Sequence, residues 1–290
     1  MPEGPELRLS ASLIKPLVLN HKVIRANPSM NGRYGKVTEK IDNLFEFSVE
    51  GLFDFNMGSY MSSNPSYFRV LDVNTKGKFM YWSFTNDWYM FCTYGMTGQW
   101  SPKEGKHVCF TFDLEDDNNK QSKLHFNDPR HFGTIKFVKG KENLQKKLKT
   151  LGWDPLQDNL NSYRNLIERK LNSNKPIGQL LMDQSIFAGV GNYIRAEALY
   201  AAKISPWRPG NKLMYNEISN LCESIIAVMQ QSYDYQGATL HTYTNVYGEE
   251  GNYSSFFKVY GNKTDPLGNV VKTEATPEGR TIHWCPDIQK

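Results

Sequence analysis

The first six residues, Met1-Pro2-Glu3-Gly4-Pro5-Glu6, set a nucleophile beside two acids. A small second residue such as proline generally permits removal of the initiator methionine, which would expose the Pro2 amine. An α-amino group ordinarily titrates near pH ~8, so a useful fraction is unprotonated at neutrality. Proline's amine is secondary, so its attack on a sugar C1′ would leave a cationic iminium, a Schiff base made by the chain terminus where other enzymes use lysine. Glu3 could act as general acid or base on the same sugar. Taken alone, Pro-Glu-Gly-Pro reads first as a stiff, solvated leader.

Other candidates lie far along the chain. The run Asp183 to Tyr193 holds Gly189-Val190-Gly191-Asn192. A dinucleotide loop fails there, because the third glycine is absent and no strand precedes it. What remains is a glycine-rich turn between helices, with Asn192 as N-cap and helix-start N–H groups able to meet a phosphate. Lys78 follows Gly77 at the start of a strand. Met96 sits in the glycine-bracketed tip Tyr94-Gly95-Met96-Thr97-Gly98, and Arg130 and Phe132 in Asp128-Pro129-Arg130-His131-Phe132-Gly133. A methionine, an arginine and a phenylalanine on protruding loops could wedge into a base stack and fill the void left by an extruded nucleotide. Individually, each reads more simply as core or surface. Arg280, at the mouth of a C-terminal hairpin, reads alone as a solvated charge.

Positioning such residues requires a sizeable scaffold, and 290 residues, 39% hydrophobic and 13% aromatic, supply one. That length predicts about two domains. No apolar run nears the ~18 residues of a membrane span, and Glu3, Glu6 and Arg8 break any signal peptide. The chain is expected to be soluble, intracellular and monomeric. A net charge of +4 decides little. Cys92, Cys109, Cys222 and Cys285 form no C-x-x-C pair, which argues against a disulfide framework and a four-cysteine zinc site.

Up to about Val138 the text is strand-like: Phe45–Val49, Tyr67–Val73, Lys78–Phe84, Trp88–Tyr94, Val108–Leu114, Lys123–Asn127 and Thr134–Val138, separated by turn signals. Leu9, Leu13 and Leu17 place a helix over Pro5–Leu19 ahead of them. Helical patterns then cover Glu142–Thr150, Ser162–Leu171, Pro176–Gln184, Asn192–Lys203 and Tyr215–Tyr233, with a linker over Gly152–Asn161. Phe256–Tyr260 and Thr281–Cys285 are expected to form a hairpin around the loop Gly261–Gly279. The predicted class is α+β and multidomain. It comprises an N-terminal β-sandwich with a leading helix (residues 1–140), a linker region (141–161), a helical domain (162–240) and a loop with a β-hairpin finger (241–290).

Together these segments resemble the Fpg/Nei family of DNA glycosylases. Pro2-Glu3-Gly4-Pro5-Glu6 resembles its N-terminal active-site motif, with Gly4 on the endonuclease VIII (Nei) side. Lys76-Gly77-Lys78 resembles the segment bearing its catalytic-site lysine, and the Met96 and Arg130–Phe132 loops resemble its intercalation loops. Leu181 to Glu197 is similar to its helix-two-turn-helix signature. The C-terminus follows the family's zinc finger in outline. Leu267, Val270 and Ile288, however, stand at three of the four cysteine positions, which resembles the zincless finger of Nei-like-1 enzymes. The aliphatic replacements are expected to pack that hairpin, and no metal or cofactor is implied.

The resemblance implies a bifunctional glycosylase/AP lyase of base excision repair that acts on oxidised bases, mainly pyrimidines, in damaged DNA. In this reading Pro2 is the nucleophile and Glu3 acts on the deoxyribose ring oxygen, with Glu6 near the same sugar. Lys78, Asn192 and Arg280 hold flanking phosphates, and Met96, Arg130 and Phe132 fill the gap in the stack. The segment Thr239–Ser255 covers the lesion, and His131 stands where relatives often have a second arginine. The alternative is a non-catalytic damaged-DNA binder on the same scaffold, though such a binder would need no free secondary amine.

Overall fold

The computed structural model describes residues 2–28, 68–239, 244–276 and 279–290. The expected strand Phe45–Val49 lies outside them, as do His241 and Tyr243 of the lesion loop. Helix α1 (Gly4–Val18) starts on a proline-containing first turn and buries Leu7, Ile14 and Val18. Each such side chain contributes about 1.5–3 kcal/mol when fully buried. Two four-stranded antiparallel sheets follow. One has the order β1 (Lys22–Pro28), β6 (Val108–Glu115), β7 (Gln121–Asn127), β5 (Gln99–Ser101). The other has the order β2 (Val70–Lys76), β3 (Phe79–Phe84), β4 (Trp88–Thr93), β8 (Thr134–Lys139).

Alternation along the strands turns Trp82, Phe84, Trp100, Phe112 and Phe126 inward, and α1 closes the same core. Trp100 stacks on Phe112 with ring centroids 5.8 Å apart. This is the β-sandwich with a leading helix read from the sequence. Two strands escaped that reading. Gln99–Ser101 is three residues long, and Lys22–Pro28 is an edge strand that buries only Val23.

The second lobe is helical: α2 (Lys141–Leu148), α3 (Leu160–Leu171), α4 (Ile177–Leu180), α5 (Asn192–Ala201) and α6 (Tyr215–Asp234). Helix α4 is much shorter than the expected Pro176–Gln184. After it the chain turns on Asp183, whose carboxylate accepts the Ser185 N–H at 2.8 Å. The Gln184 side chain then braces the next turn, accepting from Gly189 N–H and donating to the Val190 carbonyl.

Residues 152–161, expected as a linker, are packed rather than loose. Trp153 is fully buried and pairs in a bridge with Phe187. The buried Asp154 carboxylate accepts the Gly77 N–H at 2.7 Å, tying the β2–β3 turn to the helical lobe.

The finger is the two-stranded ribbon β9 (Lys272–Ala275) with β10 (Thr281–Trp284). The expected partner strand Phe256–Tyr260 is instead an irregular segment after a short 3-10 turn. Its aromatic run packs against a helix: Phe257 and Tyr260 lie on Tyr193 of α5, with ring centroids 5.4 and 6.4 Å away. Among the described residues no helix is long and apolar enough to cross a membrane.

Candidate active site

Three backbone segments converge where the lobes meet. The Gly4 N–H donates to the Gly189 carbonyl at 2.9 Å. Gly77 has φ +55°, and a Cβ there would stand 2.4 Å from the Gly189 nitrogen, so only glycine lets the Lys78 turn approach this closely. The terminus, the lysine turn and the α4–α5 turn thereby form one floor, and Pro2 and Glu3 are buried against it.

Glu3 is the N-cap residue of α1 and also serves a second helix. Its carboxylate accepts the N–H groups of Tyr193 (3.1 Å) and Ile194 (3.4 Å), the open donors at the start of α5. Gly191 is the N-cap position of that helix. The expectation that Asn192 caps α5 is therefore corrected: Asn192 is the first helical residue, and its side-chain oxygen accepts from Arg195. The glycine-rich turn is a socket for a carboxylate of the same chain, and its first N–H groups are already engaged.

Burial pushes the Glu3 carboxyl up to about 7. Lys78 opposes that rise, Glu6 adds to it, and the two N–H donors oppose it. Lys78 is half-buried. Desolvation holds its ammonium below the usual lysine range, with Glu3 opposing and Arg280 reinforcing. Pro2, Glu3 and Lys78 thus come together, with Arg280 within electrostatic reach. Glu6, expected beside the sugar, is enclosed instead. It is 1% exposed and accepts from Glu3 N–H, Tyr193 and Ser232 hydroxyls and Ala238 N–H.

Two residues inside the Leu181-to-Glu197 stretch, given no role of their own from the sequence, hold the finger. Arg195 is fully buried and donates to the carbonyls of Gly178 (3.1 Å) and Thr281 (3.0 Å), fixing the strand beside Arg280. Glu197 is also buried and accepts three successive N–H groups, from Lys258, Val259 and Tyr260. Arg280 lines a groove of about 220 Å³ with Lys175, Gln179, Met182 and Asp183.

Met96 and Phe132 are 40% and 51% exposed, and Arg130 reaches the Met96 sulfur at 3.6 Å. Asp128, fully buried, makes the three residues one tip. Its carboxylate accepts the Thr97 hydroxyl at 2.7 Å and the Gly133 N–H at 2.6 Å, one from each loop. The available signal was its place at the head of the Asp128-to-Gly133 loop, where it was given no role of its own.

The finger does not fit zinc. Cys285 is buried against Val259, Val271 and Ala196, with Ile288 packed on them. Leu267 and Val270 are 74% and 63% exposed, so the expectation that they pack the hairpin is corrected. The turn that carries them is organised by Asp265. Its carboxylate accepts the Leu267 and Asn269 N–H groups, the Asn269 amide and the Tyr200 hydroxyl. No group of three or more metal-binding side chains occurs among the described residues.

Three stretches match the formamidopyrimidine-DNA glycosylase N-terminal domain (64–135), its helix-two-turn-helix domain (151–244) and its C-terminal domain (251–290). A formamidopyrimidine-DNA glycosylase of Lactiplantibacillus plantarum is 33% identical over 231 residues, covering 76% of this chain and 82% of that one. Another, from Mycoplasma genitalium, is 26% identical and covers 100% and 96%. The crystal structure of the MutM (Fpg) protein from Thermus thermophilus matches with a TM-score of 0.79 at 26% identity, over 99% of this chain and 98% of that one. The chain belongs to the formamidopyrimidine-DNA glycosylase family, the DNA glycosylases of base excision repair. A complex of Lactococcus lactis Fpg with DNA containing an abasic site has the same fold, with a TM-score of 0.79 at 23% identity over 99% of each chain.

Proposed function

We propose that this chain is a bifunctional DNA glycosylase/AP lyase of the endonuclease VIII-like branch, removing oxidised bases, mainly pyrimidines, from damaged DNA. One observation carries the reading: Pro2 and Glu3 are held at the junction of the lobes, with the Glu3 carboxyl titrating near neutrality beside Lys78. A free Pro2 nitrogen attacks C1′. The electron pair of the C1′–base bond leaves with the base, which takes up the amine proton. Glu3 then donates its proton to O4′ as the C1′–O4′ bond opens, leaving a C1′ iminium and a Glu3 carboxylate. The iminium acidifies the 2′ proton, and successive β- and δ-elimination expels the 3′ and 5′ phosphates.

Lys78, Asn192 and Arg280 hold phosphates around the extruded nucleotide. Met96, Arg130 and Phe132 occupy the gap it leaves. The branch assignment rests on the presence of Gly4, which packs on Gly189 and Met229. The division of labour follows residues 1–140 for chemistry and intercalation, 162–240 for strand binding and 241–290 for the lesion and finger.

Borohydride reduction during turnover of DNA carrying an oxidised pyrimidine should trap a covalent adduct, and peptide mapping should place it on Pro2. An adduct confined to a lysine would overturn the reading.

A further inference from the structure

A bulge in the β-sandwich aims a thiol at the loop that carries Arg130 and Phe132. Between β6 and β7, Val108 pairs with Asn127 and Phe110 with Phe126, so Cys109 is the extra residue of that bulge. An inserted residue bends its strand and re-aims its side chain. Here the Cys109 sulfur is fully buried and lies 3.3 Å from Nδ1 of His131. Its other polar neighbours are backbone carbonyls, of His107 at 3.4 Å and of Asp128 at 3.7 Å. Burial pushes the thiol up to about 11, so at neutral pH it keeps its proton and has it to donate to an imidazole nitrogen.

The backbone of His131 is shaped for this contact. Its φ is +53°, in the left-handed region, which histidine tolerates better than most residues. Its N–H closes a turn on the Asp128 carbonyl at 3.1 Å, and the Asp128 N–H donates to the His107 carbonyl at 2.9 Å. Main chain and side chain thus both tie the loop to the bulged strand. The Asp128 carboxylate holds the loop at its end, through Gly133, and the His131 ring holds it at its middle. The ring is half-buried, whereas Arg130 and Phe132 on either side of it are exposed.

We propose that His131 is a positioning residue: latched to Cys109, it fixes the loop so that Arg130 and Phe132 stand outward as a preformed wedge. This rests on the gap-filling role given to those two side chains above. A wedge ordered in advance loses less conformational freedom when it enters a base stack. The latch is therefore felt on a duplex with a gap to fill and not on an intact one.

The test measures affinity for two duplexes of one sequence, one intact and one carrying a tetrahydrofuran abasic-site analogue. His131→Asn keeps a residue that tolerates the left-handed backbone and withdraws the ring; Cys109→Ala withdraws the thiol. Each should weaken binding to the analogue duplex by about three- to tenfold, the range of one neutral hydrogen bond, and leave binding to the intact duplex unchanged. Because the two residues share one bond, the double variant should lose no more than either single one. His131→Asn lies at the surface, so it reads the latch even where Cys109→Ala disturbs the core.

Losses that multiply in the double variant would refute the latch, as would a wild-type ratio of the two affinities in folded His131→Asn protein. Equal weakening on both duplexes would count against it too, since that marks general loosening. Phe132→Ala separates the levels. If it loses the preference for the analogue duplex and the latch variants do not, the latch alone falls. If it keeps the wild-type preference, the gap-filling reading falls and takes the latch with it.

Discussion

The carboxylate of Glu3 occupies the space that a side chain on Gly191 would need: a Cβ there would stand 2.2 Å from the Glu3 carboxyl carbon and 2.3 and 2.5 Å from its oxygens. An acid at the start of the chain thus finishes a helix that begins nearly two hundred residues later. The same contact places the acid in a dry junction, where its proton is available near neutrality.

Gly191→Ala should therefore act as an active-site mutation. The glycine has an extended, unstrained backbone, so alanine is acceptable there except for the carboxylate it displaces. The expected result is a loss of about 10²-fold in single-turnover base excision, with affinity for lesion DNA changed by no more than about threefold. Titration of binding beside the rate measurement checks both halves.

The pH profile follows from Glu3. A carboxyl raised to about 7 is largely protonated at pH 6 and largely ionised at pH 8. If it donates its proton to O4′ while Pro2 attacks as the free amine, the excision rate constant should be bell-shaped, rising toward neutrality as the amine loses its proton and falling by about tenfold per unit on the alkaline limb. Glu3→Gln should abolish that limb and impair base removal more than cleavage of a ready-made abasic site. Single-turnover rates across the range at constant ionic strength give the answer, and an alkaline limb that survives in Glu3→Gln would deny Glu3 the acid role.

Much of the frame was legible because it is local. Short strand-like runs between turn signals gave the sandwich, and Leu9, Leu13 and Leu17 gave α1. Glycine-bracketed tips gave the loops of Met96 and Phe132. The unread parts depend on partners distant in sequence. Nothing near Glu3 announces that it caps α5, and nothing near Glu6 announces that it meets Ala238. Asn192 looked like the cap because asparagine suits that position, yet the cap site is Gly191 and the capping group comes from elsewhere. The hairpin was misplaced because Phe256-Phe257 has strand composition, whereas the Phe257 ring lies on Tyr193 and the Phe256 ring on Tyr235.

Asp128 predicts a joint failure of both intercalation loops. Its removal leaves the Thr97 hydroxyl and Gly133 N–H without their acceptor, at about 1–3 kcal/mol for each buried group. Asp128→Ala should lower the melting temperature and weaken binding to a flipped-base analogue, with Met96 and Phe132 intact. Fluorescence from a base analogue opposite the lesion would report whether the gap is still filled, and unchanged filling would show that the loops hold themselves.

The finger makes the last prediction. Asp265 does by hydrogen bonds what four metal bonds would do in a zinc site, closing the turn that holds Leu267 and Val270 out in solvent. Burial pushes its carboxyl up, but the donors from Asn269, Tyr200 and Leu267 outweigh this and hold it below the usual range. A carboxyl depressed in the fold stabilises it above the unfolded pKa, and that contribution is lost as pH falls through the folded one. The turn should therefore loosen in acid and be indifferent to chelators. Asp265→Ala should mimic the acid state at neutral pH, lowering activity by about tenfold, the equivalent of one good contact, through loss of the Arg280 platform. Chelator treatment should change neither activity nor melting temperature, and stoichiometric zinc in the purified protein, or inactivation by chelator, would show that the turn is built around a metal after all.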